Sequence, residues 1–133
     1  MTDDSLDPAL IELANALLDA AREGDAATVR AFLDRGAPAN LRDAAGNSPL
    51  MLAAYHGHAN LVTELAARGA DVDQLNDRGQ SPLAGAAFKG FVTVAEALLA
   101  AGADPEVGEP SALATARYFE RSEIVELIEA RRG

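Results

Sequence analysis

Cysteine is absent from the chain, which removes disulfide frameworks, thiol nucleophiles and Cys-ligated zinc and fits a reducing compartment. Tryptophan is absent too, and aromatic residues make up only 5% of the sequence. A β-sandwich built from aromatic and β-branched strands is therefore disfavoured. The apolar fraction of 49% leans on alanine, which suits thin helices packed closely. No apolar run approaches the ~20 residues of a membrane span. The first eight residues carry Asp3, Asp4 and Asp7 and no base, so they lack the basic and apolar regions of a secretory signal. A cytoplasmic protein without a membrane partner is expected. Its 133 residues hold one domain, residues 1–133, with a real core.

Positive charge is scarce: 11 basic residues stand against 21 acidic ones, a formal charge of -10. The deficit is uneven, with net -6 over residues 1–34, -1 over 35–103 and -3 over 104–133. Acid gathered at the two ends is mainly solubilising. An acidic chain without a basic stripe repels phosphate backbones, so nucleic acid is not the expected partner.

What the sequence does contain is an internal repeat. Ser48-Pro49-Leu50 returns as Ser81-Pro82-Leu83 and Ala53-Ala54 as Ala86-Ala87, both at a shift of 33. Gly24, Gly57 and Gly90 keep the same period, as do Gly46 and Gly79, and Gly36-Ala37, Gly69-Ala70 and Gly102-Ala103. Several independent series with one period specify stacked units, none able to bury its apolar face alone. Within a unit, Gly46 serves a tight turn in the polar stretch from Arg42 to Asn47, and Ser48 can cap a helix that opens with Pro49. That inner helix runs to about His56 and stops at Gly57. A second helix, roughly Ala59 to Ala67, carries Leu61, Val62, Leu65 and Ala66 on one face, and Gly69 ends it. Phe32, Leu65, Leu98 and Ile128 fall in one column of the second helices and are expected in the core.

The ends differ. Asp7-Pro8 opens a longer helix with Leu10, Ile11, Ala14, Leu17, Leu18 and Ala21 on one face. Near the other end, Ser111-Ala112-Leu113 follows Ser81-Pro82-Leu83 by only 30, so the turn from Glu106 to Pro110 has lost three residues. The last helix, about Ser122 to Ala130, interleaves glutamates with Ile124, Val125, Leu127 and Ile128, the polar face a terminal unit needs.

The run Asp43-Ala44-Ala45-Gly46-Asn47-Ser48-Pro49-Leu50, followed by Ala53-Ala54, Gly57-His58, Leu61-Val62 and Gly69-Ala70-Asp71, resembles the ankyrin-repeat pattern, and 33 residues is that family's period. The resemblance implies an all-α solenoid of helix-turn-helix units joined by β-turn fingers. Its approximate repeats are 6–41, 42–74, 75–107 and 108–133, two internal and two capping. The family's His after Pro-Leu is Met51 and Ala84 here. The usual Asn late in the repeat is Asp73 and Glu106, so weaker bonding to the next loop is expected at that column.

Chemistry-bearing clusters are few. His56 and His58 flank Gly57, where one helix ends and the next begins, so their rings diverge, and no third metal ligand is evident. Glu120, Glu123 and Glu126 read as a solvated face, and no phosphate-binding loop occurs. No enzyme activity, metal or cofactor is expected. A different pattern emerges when equivalent positions are stacked. Two residues before the Gly57-type position stand Arg22, Tyr55, Phe88 and Tyr118; one residue before it stand Glu23, His56, Lys89 and Phe119. The resemblance implies that these positions face a concave groove, flanked by finger tips at Ala44, Ala45 and Asn47 and at Asp77, Arg78 and Gln80. The expected function is that of a monomeric scaffold that binds another protein through this surface, with an inhibitor or antitoxin-like subunit of a partner enzyme as the alternative.

Overall fold

The computed structural model describes residues 8–132, and among them every regular element is helical. Four pairs follow one another: α1 (Pro8–Glu23) with α2 (Ala26–Asp34), α3 (Pro49–Tyr55) with α4 (Ala59–Ala67), α5 (Pro82–Lys89) with α6 (Val92–Ala100), and α7 (Ala112–Tyr118) with α8 (Ser122–Arg132). Inner helices α1, α3, α5 and α7 pack successively on one another, and so do outer helices α4, α6 and α8. The outer helices α2 and α4 are tied by the ion pairs Arg30–Glu64 and Arg68–Asp34, each at 2.7 Å. No helix among the described residues is long and apolar enough to cross a membrane.

Each inner helix after the first begins in the same way. The hydroxyl oxygens of Ser48, Ser81 and Ser111 accept from the amides three residues on, at 3.0–3.1 Å, satisfying a donor the first turn leaves free. Pro49 and Pro82 follow their caps, where a missing N–H costs nothing. Buried Leu17, Leu50, Leu83 and Leu113 then form a column at spacings of 33, 33 and 30. Of the expected outer column, Leu65, Leu98 and Ile128 are fully buried and Phe32 half-buried.

The inner helices close on glycines in a left-handed turn, and at Gly24 and Gly90 packing adds a steric demand. Gly24, Gly57 and Gly90 have φ of +77°, +84° and +77°, a left-handed conformation that side chains resist. Each is also covered by a side chain from the next pair: a Cβ on Gly24 would lie 2.5 Å from the His58 ring, on Gly57 3.4 Å from Phe91, and on Gly90 3.1 Å from the Arg121 guanidinium. His58 Nε2–H donates to the Arg22 carbonyl at 2.8 Å, and Arg121 donates to the Ala87 and Phe88 carbonyls at 3.2 and 2.8 Å. Both supply donors to carbonyls that a helix end leaves free. The fourth equivalent position is Glu120, exposed at φ +54°.

Between pairs the chain turns through fingers. Asp43 Oδ1 accepts from the amides of Ala45 and Asn47, and Asn76 Oδ1 from those of Arg78 and Gln80, so one turn is built twice. Successive fingers are joined by Asp77 N–H to Ala45 O and by Arg42 to the Asp77 carboxylate. The shortened third finger lays Glu109 N–H on Gly79 O at 3.0 Å.

Two expectations need adjustment. Asp73 keeps one of the two loop bonds of its equivalent Asn40: its Oδ1 accepts from Asp104 N–H at 2.9 Å, as Asn40 Oδ1 accepts from Asp71 N–H at 2.7 Å, because this bond needs only an acceptor, while the bond from Asn40 Nδ2 to Gly69 O at 3.4 Å needs a donor that Asp73 lacks. The second concerns α1, whose apolar face is buried only in its second half. Leu10, Ile11 and Leu13 are 52%, 45% and 51% exposed, because seven-residue α3 spans about 10 Å against about 24 Å for sixteen-residue α1. Leu10 and Leu13 instead overhang an open cleft with Phe32, Ala37 and Leu41. Asp7, the expected start of this helix, lies outside the described residues.

Two stability predictions result. Glu120→Gly removes left-handed strain of about 1–2 kcal/mol against about 0.4–1 kcal/mol of unfolded-chain entropy, so urea unfolding should show a gain of about 0.5–1 kcal/mol, while Gly57→Ala should lose about 1 kcal/mol. Deleting residues 108–133 uncovers the faces of α5 and α6 that α7 and α8 occupy. That truncated chain should aggregate in size-exclusion chromatography, whereas the full chain should elute as a single species.

Candidate functional site

Along the inner helices, positions three and seven residues after the capping serine point away from the outer layer. The first column is Met51, Ala84 and Ala114, the second Tyr55, Phe88 and Tyr118, and together with the fingers they wall a groove. Where the first column is alanine the floor drops. A cavity of about 440 Å³ opens there between Ala84, Ala114 and Pro110 on one side and Phe88, Tyr118 and Phe119 on the other. Where it is Met51 the cavity is smaller, about 230 Å³, bordered by Tyr55, Asn47, Asn76 and Arg78. Gln80 lines both, so the two adjoin. Gly85, inside α5, helps to shape it: a Cβ there would come within 3.1 Å of the Met51 methyl and 3.4 Å of the Tyr55 ring.

The aromatic side chains meet as a strip, though not along the simple column. Tyr55 stacks on Phe88 with centroids 6.4 Å apart and planes 9° from parallel. Phe88 then meets Phe119 edge-on at 5.1 Å, and Phe119 meets Tyr118 edge-on at 5.0 Å. Continuity thus runs through Phe119, from the neighbouring column, while Tyr118 is 80% exposed. Phe88 and Phe119 remain 42% and 41% exposed. The Lys89 ammonium lies 5.0 Å from the centroid of the Tyr55 ring, a cation–π contact at the strip's edge.

Of the expected finger-tip residues, Ala44, Ala45 and Arg78 are exposed, Asn47 and Gln80 are half-buried, and Asp77 is exposed but held by Arg42. Asn47 and Gln80 both accept from Asn76 Nδ2 at 2.9 Å, so their side chains hold finger to finger while bordering the groove. Sequence reasoning missed the groove floor: Ala84, Ala114, Thr115 and Pro110. The signal was present in the replacement of the family's His by Met51 and Ala84, which lowers that wall.

His58 is committed to the Arg22 carbonyl, whereas His56 is exposed and packs edge-on against Tyr55 at 5.7 Å. Desolvation holds the His56 ring below its ordinary pKa of 6.5, and the charges of Arg22, His58 and Lys89 lower it further. The folded protein therefore binds this proton less readily than the unfolded chain. Stability should be unaffected by the ring at high pH and should fall as pH drops below about 6.5. Urea titrations from pH 8 to pH 5 should show His56→Gln losing less stability on acidification than the parent, by a few tenths of a kcal/mol at this exposed site.

No curated protein matches the chain. A family model described as "Ankyrin repeats (3 copies)" matches residues 17–109. Ankyrin repeats generally mediate protein–protein interactions, and proteins of this kind are typically non-enzymatic. Eight helices in four stacked pairs among the described residues, the 33-residue register and that match lead to one assignment: this chain belongs to the ankyrin-repeat family.

Proposed function

We propose that the protein binds a partner protein through the groove formed by its inner helices and finger tips, as a non-enzymatic scaffold or modulator. The observation that supports this most is the exposed aromatic strip. A chain with six aromatic residues outside tryptophan leaves Phe88, Tyr118 and Phe119 between 41% and 80% accessible, side by side, when burying them would stabilise the fold. Exposed aromatic clusters with a polar rim are the composition of interface hot spots. The rim here comprises His56, Lys89, Gln80 and Arg78, with Ala44, Ala45, Asn47 and Asp77 at the tips. An interface of standard size needs about 800 Å² from each side, so strip and finger tips must act together.

The partner is to be captured on the immobilised full chain from the cells that make it, and its affinity then measured by calorimetry. Tyr118→Ala should weaken binding at least tenfold while changing stability by less than about 0.5 kcal/mol, since the ring is mostly in solvent. Phe88→Ala should weaken it likewise with a modest loss of stability, and Glu96→Ala, on the exposed side of α6, should do neither. Parent-like binding by both aromatic variants would overturn the groove as the interface.

A further inference from the structure

We infer that the segment this groove takes from its partner is an extended acidic one, carrying Asp or Glu a few residues from an aromatic or leucine side chain. The inference rests on the groove reading just proposed and specifies the chemistry of its occupant.

Acidic residues are missing from the inner helices that wall the groove, although the first inner helix, α1, carries Glu12, Asp19 and Glu23. In a chain of net charge -10, α3, α5 and α7 contain no Asp or Glu, and their charged residues are Lys89 and Arg117. The outer helices carry Asp34, Glu64, Glu96, Glu123, Glu126 and Glu129. Neither part of the groove has a carboxylate on its walls. The cations beside the groove are also left unneutralised. Arg22, Arg30, Arg42, Arg68 and Arg117 form ion pairs, whereas among the described residues Arg78 and Lys89, like Arg35, Arg121 and Arg131, have no carboxylate partner. Arg78 borders the groove, and Lys89 lies over the Tyr55 ring.

The overall negative charge would repel an acidic segment, so range decides the sign. At physiological ionic strength exposed charges are screened beyond about 8 Å, and packed helix axes stand about 8–10 Å apart. A carboxylate in the groove therefore senses Arg78 and Lys89 more strongly than the glutamates behind the inner layer. The apolar half of the requirement comes from the 440 Å³ cavity, whose aromatic walls and alanine floor accept one large apolar side chain. Because Gln80 lies on both parts, the socket and Arg78 share a wall and one extended strand can reach both.

The test is selection of random 12-residue peptides displayed on phage against the immobilised full chain, with binders counter-screened on Tyr118→Ala and on the charge-reversed variant R78E/K89E. The expected result is a set of peptides rich in Asp and Glu near an aromatic or leucine, weakened at least tenfold by Tyr118→Ala and by R78E/K89E, with both variants retaining the parent melting curve. Binders that need Tyr118 but are basic or uncharged, and are indifferent to R78E/K89E, overturn the acidic segment and leave the groove reading standing. Binders indifferent to Tyr118→Ala overturn both. A selection that enriches nothing overturns the linear segment, while capture of a folded partner would still uphold the groove.

Discussion

The inner helices meet through alanine. Ala20, Ala53, Ala86 and Ala116 occupy one column, with Ala21, Ala54 and Ala87 beside them, and all are buried, most of them completely. Side chains this small let helix axes approach to the short end of the usual 8–10 Å range. Outer helices carry the bulkier Leu65, Leu98 and Ile128 in the corresponding column. Small side chains in one layer and large ones in the other favour a bend toward the small side, and the groove borders that inner layer. The low aromatic content and high alanine content are thus the composition this geometry demands.

Tight spacing also dictates what can stand at the helix ends. With consecutive pairs so close, the turns at Gly24 and Gly90 lie directly beneath a residue of the next pair, and glycine answers both the dihedral and the steric demand. At Gly57 and Glu120 the position is exposed, so only the dihedral demand remains. The same reasoning places the aromatic strip. Residues just ahead of these turns are at the edge of the packed layer, and the ones that are aromatic meet one another there.

Periodicity made the fold legible in the sequence, because glycine, proline and capping serine act locally and repeat at fixed offsets. The helix bounds of α4 and the caps at Ser48 and Ser81 follow from such signals directly. Features that depend on a neighbour were less legible. The strip runs through Phe119 and not straight along its column, a contact set by packing that no spacing reveals. Asp73 preserves the bond that Asn40 Oδ1 accepts, because an oxygen suffices there, and lacks the donor that Asn40 Nδ2 presents to Gly69 O. The exposed first turns of α1 reflect the shortness of α3, a mismatch no periodicity within α1 reveals. The groove residues themselves were nominated by stacking equivalent positions, and the floor beneath them emerged only with the packing.

The three junctions have different chemistry although their backbones are nearly alike. An imidazole covers Gly24 and bonds the Arg22 carbonyl, a phenyl ring covers Gly57, and a guanidinium covers Gly90 and bonds two carbonyls. Chains made of similar units are prone to pairing out of order. Here a misplaced unit meets the wrong lid. If the third pair docked directly on the first, the Phe91 ring would replace a donor over Arg22 and leave its carbonyl without the bond that His58 makes; if the fourth docked on the second, a charged guanidinium would replace a phenyl ring. The seam over Gly24 thus carries an address, because a unit docked there with Phe91 in place of His58 forfeits the bond to the Arg22 carbonyl.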